Sequence, residues 1–351
     1  MSIRNGDVKA IFRKCRLSYQ LFYEHDSYYD LMGKDEKDSE NNLKKIFMDY
    51  FSGILFFIFA QINYYTMTFF LFLISFISFL LFSRKLDASI RSLAKDYALI
   101  YIDLPNAGFY KFLEGMHFKK HITSGEKLME IGAEEGTASK MHFSHIKSLF
   151  LASELVFSLF RVNKNLGYKN RIVSDVTQLP LGDSTIRDIA MVHVVDHIEN
   201  VSTAYTEVGR VVNRDFVFSG HSSYWLNILF LSCPTISKKK RIKFANKYMH
   251  NYNFYNSKII EQDIIAHGFE LKTYNEFSKG FLGGLNDLIH IYFFKDIASH
   301  PWRILTKIHI FKKMLLFLLH CYFLFGYVND LLLSPNARGV HFFAVAKKVD
   351  R

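Results

Sequence analysis

Two groups of residues in this chain have types and spacing that point to chemistry. The first is built from glycines and acids. Glu130, Gly132, Ala133, Glu134 and Gly136 fall within nine residues of one another in the run LMEIGAEEG, and Glu154 and Asp175 follow downstream. Glycines let a backbone approach a ligand closely, and a helix beginning after them presents free N–H groups. A carboxylate about 20 residues past such a turn is placed to accept hydrogen bonds from ribose hydroxyls. Together these residues predict a nucleotide cradle. The second group is imidazole-rich: His193, Asp196 and His197, with His221 and His250 further on. Imidazole changes charge near neutral pH, so these are candidates for proton transfer. His193 and His221 are the preferred catalytic pair, and Asp196 and His197 also fit a purely structural role at a turn. The cysteines, Cys15, Cys233 and Cys321, are far apart and lack metal-ligand spacing. They read as free thiols in a reducing compartment, and no metal is expected.

These residues need strands that end side by side. Lys127–Gly132 reads as a short apolar strand. Further strands are predicted at 148–153, 171–175, 188–193 and 215–219, with helices over 106–121 and 200–212. Strands alternating with helices at this spacing mean a parallel, doubly wound α/β sheet. In such sheets ligands bind at the carboxyl ends of the strands, where His193 and His221 would lie.

The series EIGAEEG, SDVTQLPLGD, DIAMVHVVDHI and EVGRVV, between Lys127 and Gly220, resembles the class I S-adenosylmethionine (SAM)-dependent methyltransferases. The likeness is to the type 11-like group that includes the ubiquinone/menaquinone enzymes. IEQDIIAHGFELKTY, from Ile260 to Tyr274, resembles that family's next helix and sixth strand. VHFFAVAK, from Val340 to Lys347, resembles its closing antiparallel strand. The resemblance implies a seven-stranded Rossmann-like sheet and SAM as cofactor. It implies that Glu130, Gly132, Ala133, Glu134 and Gly136 form the first cofactor motif. Glu154 would hold the ribose, Asp175 the adenine amino group, and the Val176 N–H a ring nitrogen. His193 would stand beside the methionine end and the acceptor, and HNYNFYN, from His250, resembles the segment over the acceptor. The family's central glycine is replaced here by Glu134, whose charge could meet the cofactor's ammonium or obstruct it. A catalytically degenerate scaffold therefore stands as the alternative.

Composition suggests where the protein works. The chain has 351 residues, 36 Phe, 20 Tyr and a net charge of +11. A basic surface suits nucleic acid, anionic lipid or acidic substrates. From Tyr50 to Ser83 there is no charged residue, and a spanning helix needs roughly 20 apolar residues. Lys44 and Lys45 before the run, and Arg84, Lys85 and Arg91 after it, favour a hairpin with both ends in the cytosol; a single span is the alternative. The polar patch Gln61–Thr66 divides the run. Lys238–Lys243 suits anionic headgroups better than RNA, since no aromatic-interleaved RNA motif accompanies it. A second apolar stretch, Met314–Val328, follows Lys307, Lys312 and Lys313 and suits an interfacial anchor, a lid, or a helix on the domain's own core. The expected organisation is a polar, basic region at 1–49, a membrane-associated segment at 50–83, a helical linker at 84–125, a SAM-binding core at 126–276, an apolar insertion at 277–338, and the closing strand at 339–351. The expected function is methyl transfer to a lipidic or lipid-linked acceptor, with the catalytic domain on the cytosolic face of a membrane. A soluble small-molecule or RNA methyltransferase is a further alternative.

Overall fold

Alternating apolar strands and amphipathic helices build one mixed sheet covered on both faces. The computed structural model describes residues 70, 73–82, 85–134, 136–155, 168–227, 238–246, 250–293 and 307–349. The 1–49 region, the 61–66 patch, most of 50–83, and Cys15 and Cys233 lie outside the described residues. The elements are α1 (Leu73–Phe82), α2 (Ala88–Ile100), α3 (Pro105–His121), β1 (Leu128–Ile131), α4 (Thr137–His142), β2 (Leu149–Glu154), β3 (Tyr168–Val173) and β4 (Ile186–Met191). They continue with α5 (Val201–Val211), β5 (Val212–His221), α6 (Lys238–Phe244), α7 (Ser257–Ala266), β6 (Phe269–Lys279), α8 (Gly280–Phe293), α9 (His309–Leu332) and β7 (Gly339–Lys348). The seven strands run in the order β3-β2-β1-β4-β5-β7-β6. β1 to β5 are mutually parallel, and β7 lies antiparallel between β5 and β6. This is the seven-stranded, doubly wound sheet with an antiparallel closing strand that the sequence predicts.

Most strands match their predicted places. β3 starts and ends earlier than predicted, leaving Asp175 in the turn beyond it. β4 ends at Met191, so His193 stands two residues past the strand rather than in it. β5 and β6 are longer than predicted, reaching His221 and Lys279.

All four residues of β1 are buried, as a central parallel strand covered on both faces requires. Along β7, side chains alternate between the faces. Phe342, Ala344 and Ala346 join Tyr205, Val208, Ile260 and Ile264 of α5 and α7. Phe343 and Val345 join Phe112, Phe118, Leu319 and Phe323 of α3 and α9. The expected 277–338 insertion thus begins inside β6, and its helices α8 and α9 supply Leu282, Leu315 and Leu319 to this second layer. Asp330 of α9 accepts hydrogen bonds from the Ser278 and Lys279 N–H groups at 2.7 and 2.8 Å, fastening α9 to the end of β6.

One side of α9 is buried through Leu315, Leu319 and Tyr322, and every residue from Cys321 to Leu324 is buried. Its first turns expose Ile310 (72 %), Phe311, Met314 and Phe317. α1 packs alongside, with Phe79 and Phe317 ring centroids 5.5 Å apart, and exposes Leu73, Ile77, Leu80 and Leu81. α9 is long and apolar enough to cross a membrane, yet much of it serves the domain's own core.

Candidate active site

The turn after β1 takes the shape its glycines permit. Gly132 and Gly136 have φ of +72° and +76°, a region costly for residues with a Cβ. A Cβ on Gly132 would stand 2.3 Å from Val194 Cγ2, so this glycine also allows the loop after β4 to close on the turn. Glu134 itself adopts φ +46°, so its side chain stands on a left-handed backbone between the two glycines. The Glu134 N–H donates to Glu154 Oε2 at 2.8 Å, and the Leu155 N–H donates to Glu154 Oε1 at 2.8 Å. Glu154 is therefore held at the end of β2, over the turn, with one lone pair spare on each oxygen for a ribose hydroxyl. The helix that follows, α4, has only six residues. Its N-terminus offers less help to an anion than a full-length helix would, and the carboxylates carry more of the recognition.

Glu130 sits behind the turn. Its oxygens accept from Ser139 Oγ and Tyr168 Oη, both at 2.7 Å, joining β1 to α4 and β3. Burial pushes its carboxyl up to about 7, although both hydrogen bonds oppose the rise. Asp175 is exposed, and its Oδ1 accepts from the Thr177 N–H and hydroxyl, leaving Oδ2 for an amino group. Ala133 and Val176 are buried beside these groups.

The imidazole group lies at the neighbouring strand ends. His193 has φ +56°, a conformation rare outside glycine and common at functional sites. Its N–H donates to Ser219 Oγ, which in turn donates to Glu114 Oε1. His193 Nδ1 lies 3.3 Å from Asp196 Oδ2, and burial pushes the ring down to about 3. Burial opposes ionisation of Asp196, but the His221 and His193 rings hold its carboxyl well below the usual range. Asp196 accepts from the His221 N–H and pairs with His221 Nδ1 at 2.8 Å. His197 lies apart, its Nδ1 3.1 Å from the His250 carbonyl oxygen. The segment after His250 clasps the β4 loop: the Tyr252 N–H donates to the Asp196 carbonyl, and Asn253 Nδ2 donates to the Val195 and Ile198 carbonyls. Trp225 packs on His221 with ring centroids 4.8 Å apart.

Several residues here were not anticipated from the sequence. Glu114, buried in the middle of α3, takes Lys111 Nζ at 2.8 Å and His142 Nε2 at 2.9 Å; burial opposes its ionisation, but Lys111, His193 and the hydrogen bond from His142 hold its carboxyl low. Tyr110, also on α3, stacks on His341 at 4.5 Å between centroids. His341 of β7 is the register partner of His221 and pairs through Nε2 with Asp287 of α8.

No protein-family model matches the chain, and no curated protein matches it. Solved structures similar to it include a SAM-dependent methyltransferase of Thermotoga maritima, described as a possible histamine N-methyltransferase. The identity is 13 %, 72 % of this chain and 100 % of the other are covered, and the TM-score is 0.43. Phosphoethanolamine N-methyltransferase 2 of Haemonchus contortus, solved with SAM, shares 12 % identity over 70 % of this chain and 57 % of its own, with a TM-score of 0.42. A methyltransferase of Bacillus halodurans shares 12 % identity over 68 % and 98 %, with a TM-score of 0.41. The assignment of the fold rests on this chain's own strand order and register.

Proposed function

We propose that this protein is a SAM-dependent methyltransferase working at a membrane surface on a lipidic or lipid-linked acceptor. The observation that carries the cofactor assignment is Glu154, held at the end of β2 by the N–H of the residue in the middle of the glycine turn. The residues present suit SAM: the turn has a left-handed backbone at Gly132, Glu134 and Gly136, Glu154 has acceptor capacity for ribose hydroxyls, and Asp175 has an oxygen for an adenine amino group. Bound there, SAM supplies a methyl group on a sulfonium that is already a good leaving group. The protein's part is then mainly to hold a nucleophile in line. His193 and His221 stand at the strand ends on the acceptor side, where either can receive a proton from an oxygen or carbon acceptor. Burial, which pushes the His193 ring down to about 3, keeps it neutral but makes it a weak base.

Support for an apolar acceptor comes from the surface. Phe281 (82 % exposed), Leu331 and Leu332 (73 % exposed) lie where α8 and α9 meet the end of β6. That is the same sheet edge that carries His221 and His341. Ile310, Phe311 and Met314, next to the exposed Lys312 and Lys313, form a basic and apolar end on α9 suited to an interfacial anchor.

Two measurements test the proposal. Calorimetry on the folded protein should show saturable SAM binding, and its absence would favour a scaffolding role for the domain. Incubation with membrane extract and methyl-labelled SAM should place the label in an organic-extractable product. Label in a water-soluble product, with the intact chain found off membranes, would replace the lipidic acceptor with a soluble one.

A further inference from the structure

Three strands adjacent in the sheet each carry a histidine to the same edge. His193 follows β4, His221 ends β5, and His341 stands near the start of β7 as the register partner of His221. Their ring centroids form a near-equilateral triangle, 5.0 Å from His193 to His221, 5.0 Å from His193 to His341 and 5.1 Å from His221 to His341. One ring nitrogen from each lies within 4.8 Å of one from each of the others.

Each ring is also backed by a carboxylate. His221 Nδ1 is 2.8 Å from Asp196 Oδ2, and His193 Nδ1 is 3.3 Å from the same oxygen. His341 Nε2 is 3.1 Å from Asp287 Oδ2. A carboxylate draws the ring proton to the nitrogen that faces it and leaves a lone pair on the other, the arrangement found behind metal-bound histidines. The nitrogens left over are His193 Nε2, His221 Nε2 and His341 Nδ1. Of these, His193 Nε2 and His341 Nδ1 are buried with no hydrogen-bond partner. Glu114 Oε1 lies 3.3 Å from His193 Nε2 without hydrogen-bond alignment. His341 is 1 % exposed, and burying an unsatisfied ring nitrogen is unfavourable unless something else takes the lone pair.

We propose that His193, His221 and His341 form a binding site for one divalent transition-metal ion of the zinc class, with a further coordination position open to an oxygen ligand. All-imidazole donors suit zinc, iron, cobalt, nickel or copper and not magnesium or calcium. A tetrahedral zinc ion with bonds of about 2.0–2.1 Å needs its nitrogens about 3.4 Å apart, so the rings draw together on binding. Asp196 and Asp287 act through the rings and are positioning residues. The site stands on its own geometry and does not depend on methyl transfer; with an ion bound, His193 and His221 are its ligands and no longer free bases.

The test uses the full chain in mild detergent, stripped with chelator and titrated with Zn2+ and Co2+. One equivalent should bind per chain, and cobalt should show the visible absorption of a four-coordinate ion. X-ray absorption on the zinc-loaded wild type should count three imidazole ligands. His341→Gln and His221→Gln should each weaken binding at least 100-fold, and Asp287→Asn should weaken it about 10- to 100-fold. His267→Gln, on the opposite face of the sheet, should leave it unchanged. The proposal is overturned if folded wild type binds neither ion at submillimolar concentration. Fewer than three imidazoles on zinc, or full-strength binding by folded His341→Gln, would overturn it equally.

Discussion

Replacing Glu130 with Gln should change how stability responds to pH, in a direction opposite to that of most carboxylates. Glu130 is fully buried between Ser139 and Tyr168, and burial raises its carboxyl from 4.5 to about 7. Between those values the unfolded chain has released the proton that the folded chain keeps. Unfolding therefore releases protons, and stability falls as pH rises from about 4.5 to about 7. A tenfold change in proton affinity is worth about 1.4 kcal/mol, so the whole effect is roughly 3 kcal/mol, of which about 2.5 lies between pH 5 and pH 8. Gln keeps the shape and both hydrogen-bonding positions but cannot ionise. The Ser139 and Tyr168 hydroxyls can turn to suit its amide. The variant should thus gain about 2.5 kcal/mol relative to wild type on going from pH 5 to pH 8. Reversible urea unfolding of both proteins at several pH values measures this difference directly. Parallel profiles, with a gap constant to within about 0.5 kcal/mol, would refute the assignment of a neutral buried carboxyl.

Glu154→Ala should weaken SAM binding by about 10- to 100-fold in calorimetry, because it removes a charged hydrogen-bond acceptor worth roughly 1.5–3 kcal/mol. Gly132→Ala places a Cβ against Val194 at a positive φ, and should cost about 2 kcal/mol or more in urea unfolding and abolish SAM binding. Asp330→Ala frees two N–H groups at the end of β6 and should destabilise the protein by about 2 kcal/mol in the same assay. Ile310→Ser, Phe311→Ser and Met314→Ser combined should lower partitioning onto anionic vesicles roughly 100-fold, about 3 kcal/mol of apolar transfer, with secondary structure retained by circular dichroism.

The sheet was legible because its information is local. Apolar runs such as DIAMVH, bounded by turns, read as strands whatever surrounds them, and their order follows from the resemblance they carry. The nucleotide side of the site was legible for the same reason, since Gly132, Gly136 and Glu154 follow one another along one β-turn-helix-β unit. The histidine side was half legible. His193 and His221 are visible as residues just beyond apolar strands. His341 is hidden inside VHFFAVAK, where it reads as one polar residue in a closing strand. Only the antiparallel pairing of β7 with β5 sets it opposite His221. Glu114 and Asp287 were harder still. Each is a lone acid within a helix, a place where acids are ordinarily solvated, and only helix-on-sheet packing brings them to the strand ends. The expectation of no metal came from cysteine spacing, which carries no information about histidines delivered by three separate strands.

The fastening of α9 by Asp330 also bears on orientation. From Phe311 to Asp330 the helix advances roughly 30 Å. One end carries the exposed Ile310 and Phe311, and the other, with Leu331 and Leu332, is fixed where β6 gives way to β7 and its histidine. Between them, Leu319 to Val328 belong to the protein's own interior. A helix so enclosed is a keel rather than a mooring rope. Whatever surface takes hold of its greasy ends sets the heading of the whole sheet, and a reactant travelling in that surface would meet the histidine-bearing edge from one direction only.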